Sequence, residues 1–96
     1  MFKGSVFLTD VAVNTFMKSP LSKAESMALW WLVSSLPPSG MPVSNVELGE
    51  TLKISRTRIS QSMKRLSELG FIVRGLLMSG NYHYKLNPAF IRVLNT

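Results

Sequence analysis

Arg56, Thr57, Arg58, Ser60, Gln61, Lys64 and Arg65, all polar or cationic, crowd into ten positions of this chain. Guanidinium and ammonium groups suit phosphate oxygens. Hydroxyl and carboxamide groups suit the donor and acceptor edges of bases, where Arg reads guanine bidentately and Gln reads adenine. Interleaved with them, Ile59, Met63, Leu66 and Leu69 recur at helical spacing, so a helix over 55–69 turns one face inward and presents the polar set outward. Ser55 precedes the run as an N-cap, and Gly70 follows it as a C-cap.

The charge is concentrated at the same place. Between Lys53 and Arg74 there are six basic residues (Lys53, Arg56, Arg58, Lys64, Arg65, Arg74) against the single acid Glu68, while the rest of the chain holds five basic and four acidic residues. Such an excess on one helix and its neighbours is an electrostatic footprint for a polyanion. The competing expectation is an ordinary solvated amphipathic helix, and the flanking elements decide between them.

Ser22 with Glu25 three residues on forms a capping box, opening a helix that runs through AESMALWWLVSSL to Pro37-Pro38. Trp30 and Trp31 are adjacent and point in different directions, one to the core and one to an interface or solvent. A second box, Ser44 with Glu47, opens a helix over 45–52 that turns Val46, Leu48 and Leu52 to the core; Lys53-Ile54 then leads to Ser55. After Gly70, the segment Phe71 to Leu86 is a β-hairpin with Ser79-Gly80-Asn81 at its turn, where Arg74, Asn81, His83 and Lys85 extend the candidate contact set. Gly4 to Phe16 is an apolar strand or irregular arm. Asn87-Pro88 opens a short terminal helix, Ala89 to Leu94, with Phe90, Ile91 and Leu94 on its apolar face.

The run VSNVELGETLKISRTRISQSMKRLSELGFIVR resembles a winged helix-turn-helix of the kind found in MarR-type and related bacterial regulators. The likeness covers roughly Ser22 to Leu86. It is carried by Gly49 inside the second helix, Ser55 opening the third, and L-x-x-x-G-F-I (Leu66 to Ile72) leading into the hairpin. The close Tyr82-His83-Tyr84-Lys85-Leu86-Asn87-Pro88-Ala89-Phe90 is similar to that of plasmid replication proteins of the RepL type. The resemblance implies an α+β winged helix-turn-helix: a three-helix core (21–86) with a hairpin wing, an N-terminal arm (1–20) and a short terminal helix (87–96).

The expected function is sequence-specific binding of double-stranded DNA by a transcriptional regulator, the helix 55–69 entering the major groove with Ser55 at its cap and the hairpin as wing. Control of plasmid or phage replication or partition is the alternative use of the same surface, and a protein-interaction module is the alternative of another class. Surplus apolar surface in the arm, the Trp30-Trp31 helix and the terminal segment points to a homodimer. The chain has no cysteine, one histidine, five scattered acids and no glycine-rich phosphate loop, so the expectation is no enzyme, no cofactor and no metal. The longest apolar stretch, Met27 to Val33, is far too short to span a membrane, and the N-terminus lacks the apolar core of a signal peptide; a cytoplasmic protein is expected.

Overall fold

The computed structural model describes residues 4–95, with Met1 to Lys3 of the arm and Thr96 outside the described residues. It is an α+β structure of four helices and two small antiparallel sheets. In chain order these are β1 (Gly4–Leu8), α1 (Asp10–Lys18), α2 (Lys23–Ser35), β2 (Met41–Pro42), α3 (Asn45–Leu52), α4 (Arg56–Leu69), β3 (Ile72–Met78), β4 (Asn81–Leu86) and β5 (Ile91–Asn95).

Helix boundaries follow the caps. The Ser22–Glu25 box closes in both directions, Glu25 N–H donating to Ser22 Oγ (3.2 Å) and Ser22 N–H to Glu25 Oε1 (2.9 Å). Ser44 caps α3 through one arm rather than a full box, accepting from Glu47 N–H at 3.2 Å. Ser55 caps α4 by accepting from Arg58 N–H at 3.2 Å. At the far end Gly70 takes φ 99°, a left-handed conformation that a Cβ resists, and an added Cβ would also meet the Phe90 ring. Lys53 adopts the same region, φ 58°, to make the α3–α4 turn, which its residue type does not announce.

The core is built on α2 and α4. Ala28, Leu29, Leu32 and Val33 of α2 pack with Ile59, Met63 and Leu66 of α4, and Leu48, Phe71, Ile72, Tyr84 and Phe90 close the sides. Phe71 and Phe90 meet edge to face with ring centroids 5.2 Å apart, tying the hairpin to the C-terminal segment. Trp31 packs on this core and Trp30 is exposed, the division expected of adjacent helical positions. Leu48 and Gly49 are buried and Leu52 packs against the core, whereas Val46, also expected there, stands about 200° around the helix from Leu48 and is exposed.

Two expectations at the termini are corrected. The N-terminal arm is a strand followed by a helix: Thr9 caps α1, accepting from Ala12 N–H, so the core is attended by four helices rather than three. The terminal helix over 89–94 does not form. Asn87 instead caps a single turn, its Oδ1 accepting from Ala89 N–H (3.0 Å) and its Nδ2 donating to Gly70 O (2.8 Å). The chain then leaves as β5, antiparallel to β1, with Leu8 opposite Ile91 and Val6 opposite Val93. A helix of about six residues is marginal in water, whereas a β-branched segment beside a partner strand satisfies its backbone at once. Thr9 reinforces the junction, its N–H donating to Phe90 O (2.9 Å) and its Oγ1 to Ala89 O (2.6 Å).

The second sheet has the order β2-β4-β3. Ser79 (φ 52°) and Gly80 (φ 82°) form the tight turn of its hairpin. The register runs from Ile72 opposite Leu86 to Arg74 opposite Tyr84, then shifts so that Leu77 faces Tyr82. Gly75 and Leu76 together oppose the single residue His83 in this bulge, and Leu76 is turned outward to 80% exposure.

The α3–α4 turn depends on close approach. A Cβ at Gly49 would lie 2.7 Å from Ile54 O, a backbone atom that cannot rotate aside. Gly49→Ala gains helix propensity of about 1 kcal/mol but overpacks this contact by about 1–3 kcal/mol. A net loss of stability, read as a lower urea midpoint at unchanged slope, is the expected outcome.

Candidate nucleic-acid interface

Helix α4 is amphipathic with Ile59, Ser62, Met63 and Leu66 buried. Ser62 was not expected inward; it lies between Ile59 and Leu66 on the same face, and its small hydroxyl is tolerated there. Successive residues advance 100° around a helix, so burial of that face leaves Thr57, Gln61 and Lys64 along the outermost ridge, all exposed. Glu68 continues the ridge at the C-terminal end, which confines the cationic surface to the first two and a half turns.

Arg56 and Arg58 are about 200° apart on the helix and serve opposite flanks. On one flank Arg56, with Asn45, Ser60, Asn81 and Tyr82, lines a narrow cleft of about 140 Å³ between the start of α4 and the hairpin tip. Asn45 Nδ2 donates to Ser60 Oγ at 3.3 Å, which fixes that hydroxyl as an acceptor and leaves its hydrogen free to donate. On the other flank Arg58 joins Lys23, Lys53 and Ser55 around an open groove of about 570 Å³. Lys23 and Lys53 were not among the site residues read from the sequence. Lys23 begins α2, more than thirty positions from Arg58, and only the packing of α2 on α4 brings them together.

The structure separates the remaining candidates. Arg65 is turned away from the ridge: its Nη1 donates to Glu25 Oε1 at 2.8 Å, the ion pair that joins α4 to the N-terminal turn of α2. Glu25 is buried, so an unpaired carboxylate there would be costly and Arg65 is held in place. Arg74 stands over the Tyr82 ring, 4.5 Å from its centroid, on the hairpin face that looks toward the helices. His83 and Lys85 lie on the opposite face of the hairpin, with Val73, Leu76 and Met78 around an open hollow, and are not brought together with α4. Alternation along β4 forces this division, since Tyr82 and Tyr84 take the inner face. The hairpin end is unexpectedly apolar, with Leu77 and Met78 exposed beside Leu76.

Among the described residues, Arg65–Glu25 is the ion pair present, so Arg56, Arg58 and Lys64 keep their charges unneutralised by carboxylates. No cluster of His, Asp or Glu that could hold a metal ion occurs among the described residues. No described helix is long and apolar enough to cross a membrane. No protein-family model matches the chain, and no curated protein sequence matches it.

Tyr84 anchors the hairpin beneath this surface. Burial pushes its phenol above the ordinary value of 10.0, opposed by the nearby Arg74 charge. In the unfolded chain the phenol ionises near that ordinary value, while in the folded chain it stays neutral to higher pH. The stability tied to the neutral buried phenol is therefore complete below pH 10.0 and is lost as pH climbs through the raised value. Urea midpoints from pH 8 upward should fall more steeply for the natural chain than for Tyr84→Phe, roughly above pH 10; parallel curves would mean that the phenol is equally solvated in both states.

Proposed function

We propose that the chain is a winged helix-turn-helix protein that binds double-stranded DNA, with α4 as the recognition helix and the β3–β4 hairpin as wing. The observation that carries this reading is the arrangement of α4: a ridge of Thr57, Gln61 and Lys64, polar and exposed, between two cationic flanks, Arg56 on one side and Arg58 with Lys23 and Lys53 on the other. A helix of this width fits the major groove with its ridge toward base edges and its flanks toward the two phosphate strands. A protein-binding helix would present apolar anchors at those ridge positions instead.

In this reading Gln61 and Thr57 read bases, Arg58 reads a base or clamps the backbone beside Lys53, and Lys64 holds phosphate. Asn81 at the hairpin turn and Arg74 supply flanking contacts. The biological use is regulation of transcription by a two-fold dimer in the cytoplasm; control of plasmid or phage replication or partition would use the same surface, and the location of the bound site beside a promoter or an origin separates them. A second reading, contact with another protein, is favoured by the exposed Leu76, Leu77 and Met78, and it belongs to the hairpin end rather than to α4.

Selection of bound sequences from random duplexes, followed by affinity measurements across a salt series, tests the proposal. Affinity should fall steeply with salt, as displacement of several counterions requires. Gln61→Ala should cost roughly 1–3 kcal/mol on the selected site and little on random duplex, whereas Lys64→Ala should weaken both alike. Absence of binding at low salt removes the DNA reading. Equal losses for Gln61→Ala on both duplexes would make it a backbone contact.

A further inference from the structure

Leu76, Leu77 and Met78 are consecutive, lie just before the Ser79-Gly80 turn, and are exposed at 80%, 60% and 50%. The bulge sets their directions. Residues directly opposite in an antiparallel ladder point to the same side, so Leu77, opposite Tyr82, stands on the inner face of the hairpin with Tyr82 and Arg74. Had the register run on unbroken from Arg74 opposite Tyr84, Leu76 would have taken that place and Leu77 the outer face. Leu76 and Met78 instead lie on the outer face with His83 and Lys85. The hairpin end is therefore apolar on both sides, and its bulge re-aims Leu77 toward the side of α4.

We propose that this end is a minor-groove wedge: the hairpin enters the groove beside the α4 site, Leu77 parts one base step there, and the duplex bends toward its major groove. The inference rests on the DNA reading of α4 and names what the wing does to the duplex. Protein contact is the competing use of these residues, and the hairpin itself chooses against it. From Phe71 to Leu86 it carries Arg74 and Lys85 and no acidic residue, so an apolar tip stands on a cationic stem, as a ribbon lying between two phosphate strands requires. The tip is also continuous with the α4 surface, since Gly80, Asn81 and Tyr82 line one cleft with Arg56 and Ser60. A groove has two walls and covers both apolar sides at once; a ribbon laid on a protein surface covers one. With Leu77 in the step, Leu76 and Met78 press on the far wall, and the Asn81 carboxamide lies at the turn within reach of base edges.

The test uses the full chain and the duplex found by selection, with a fluorescent purine analogue that stacking quenches placed in turn at each flanking step, and a dye pair on the duplex ends. The natural chain should brighten the analogue severalfold at one flanking step and bend the duplex by roughly 20–90°. Leu77 is largely exposed and outside the core, so Leu77→Ser leaves the fold intact; it should lose both the brightening and the bend, and Leu77→Phe should keep them. A mismatch at the brightened step is already partly unstacked, so it should tighten the natural chain by about tenfold and leave Leu77→Ser unchanged. Duplex bound with no step brightened, or brightened equally by Leu77→Ser, overturns the wedge and leaves the DNA reading standing. Absence of duplex binding removes both. Binding to vesicles of phosphatidylcholine and phosphatidylserine that Leu77→Ser abolishes, with duplex behaviour unchanged by the substitution, overturns the wedge in favour of a membrane surface.

Discussion

Burial of Ile59, Met63 and Leu66 against Ala28, Leu32 and their neighbours on α2 fixes the rotation of α4 about its own axis, and the remaining surface follows from that rotation. With this face inward, Thr57, Gln61 and Lys64 must point out, and Arg56 and Arg58 must fall to either side. A rotation by one residue would expose Ile59 and bury a cation, costing both apolar burial and desolvation of charge. The Glu25 carboxylate adds a polar lock, because the same side chain closes the α2 capping box and accepts from Arg65 on α4. One buried carboxylate therefore sets where α2 begins and how α4 lies across it.

The α3–α4 turn supplies the second fixed relation. Gly49 lets the backbone of Ile54 approach, and Lys53 takes a left-handed conformation so that Ser55 can cap α4 within three residues of the end of α3. The same turn carries the Lys53 side chain into the groove beside Arg58 and Lys23. Tightness of the turn and concentration of charge are thus one piece of geometry. At the other end Gly70 reverses the chain into the hairpin, and Phe71, Ile72 and Tyr84 seat that hairpin on the core so that its tip stands over the start of α4.

The periphery is organised differently. Strands β1 and β5 join the two ends of the chain and α1 hangs from that junction, with little of its own surface inside. The bulge at Gly75-Leu76 likewise sends apolar side chains away from the core at the hairpin end. Both regions spend apolar residues outside the molecule, in contrast with α2 and α4, whose apolar positions are absorbed within it. That contrast separates the part of the structure whose apolar positions are covered within one chain from the parts whose apolar positions are left exposed.

Local signals made α2, α3, α4 and the β3–β4 hairpin legible in the sequence: Ser22, Ser44 and Ser55 open the helices, Gly70 ends the last of them, Ser79-Gly80 turns the hairpin, and the Ile59–Met63–Leu66 spacing names the inner face of α4. The exposed ridge was legible too, since helical geometry assigns it once the inner face is known. Long-range pairing decided the rest. Ile91 to Asn95 is a strand because β1 lies beside it, a fact that no nearby residue encodes, and the Thr9 cap of α1 sits in an apolar alternation that reads equally well as extended chain. Arg65 and Glu25 are forty positions apart, and Lys23 is thirty positions from the Lys53 of the turn that completes its groove; in sequence each is only a charge. The sequence by itself determined which helices form and which face of α4 is polar, because those depend on neighbours within a few residues. Only the tertiary structure decided which cations stay free and which segment is left without a partner, because those depend on what the chain brings back from far away.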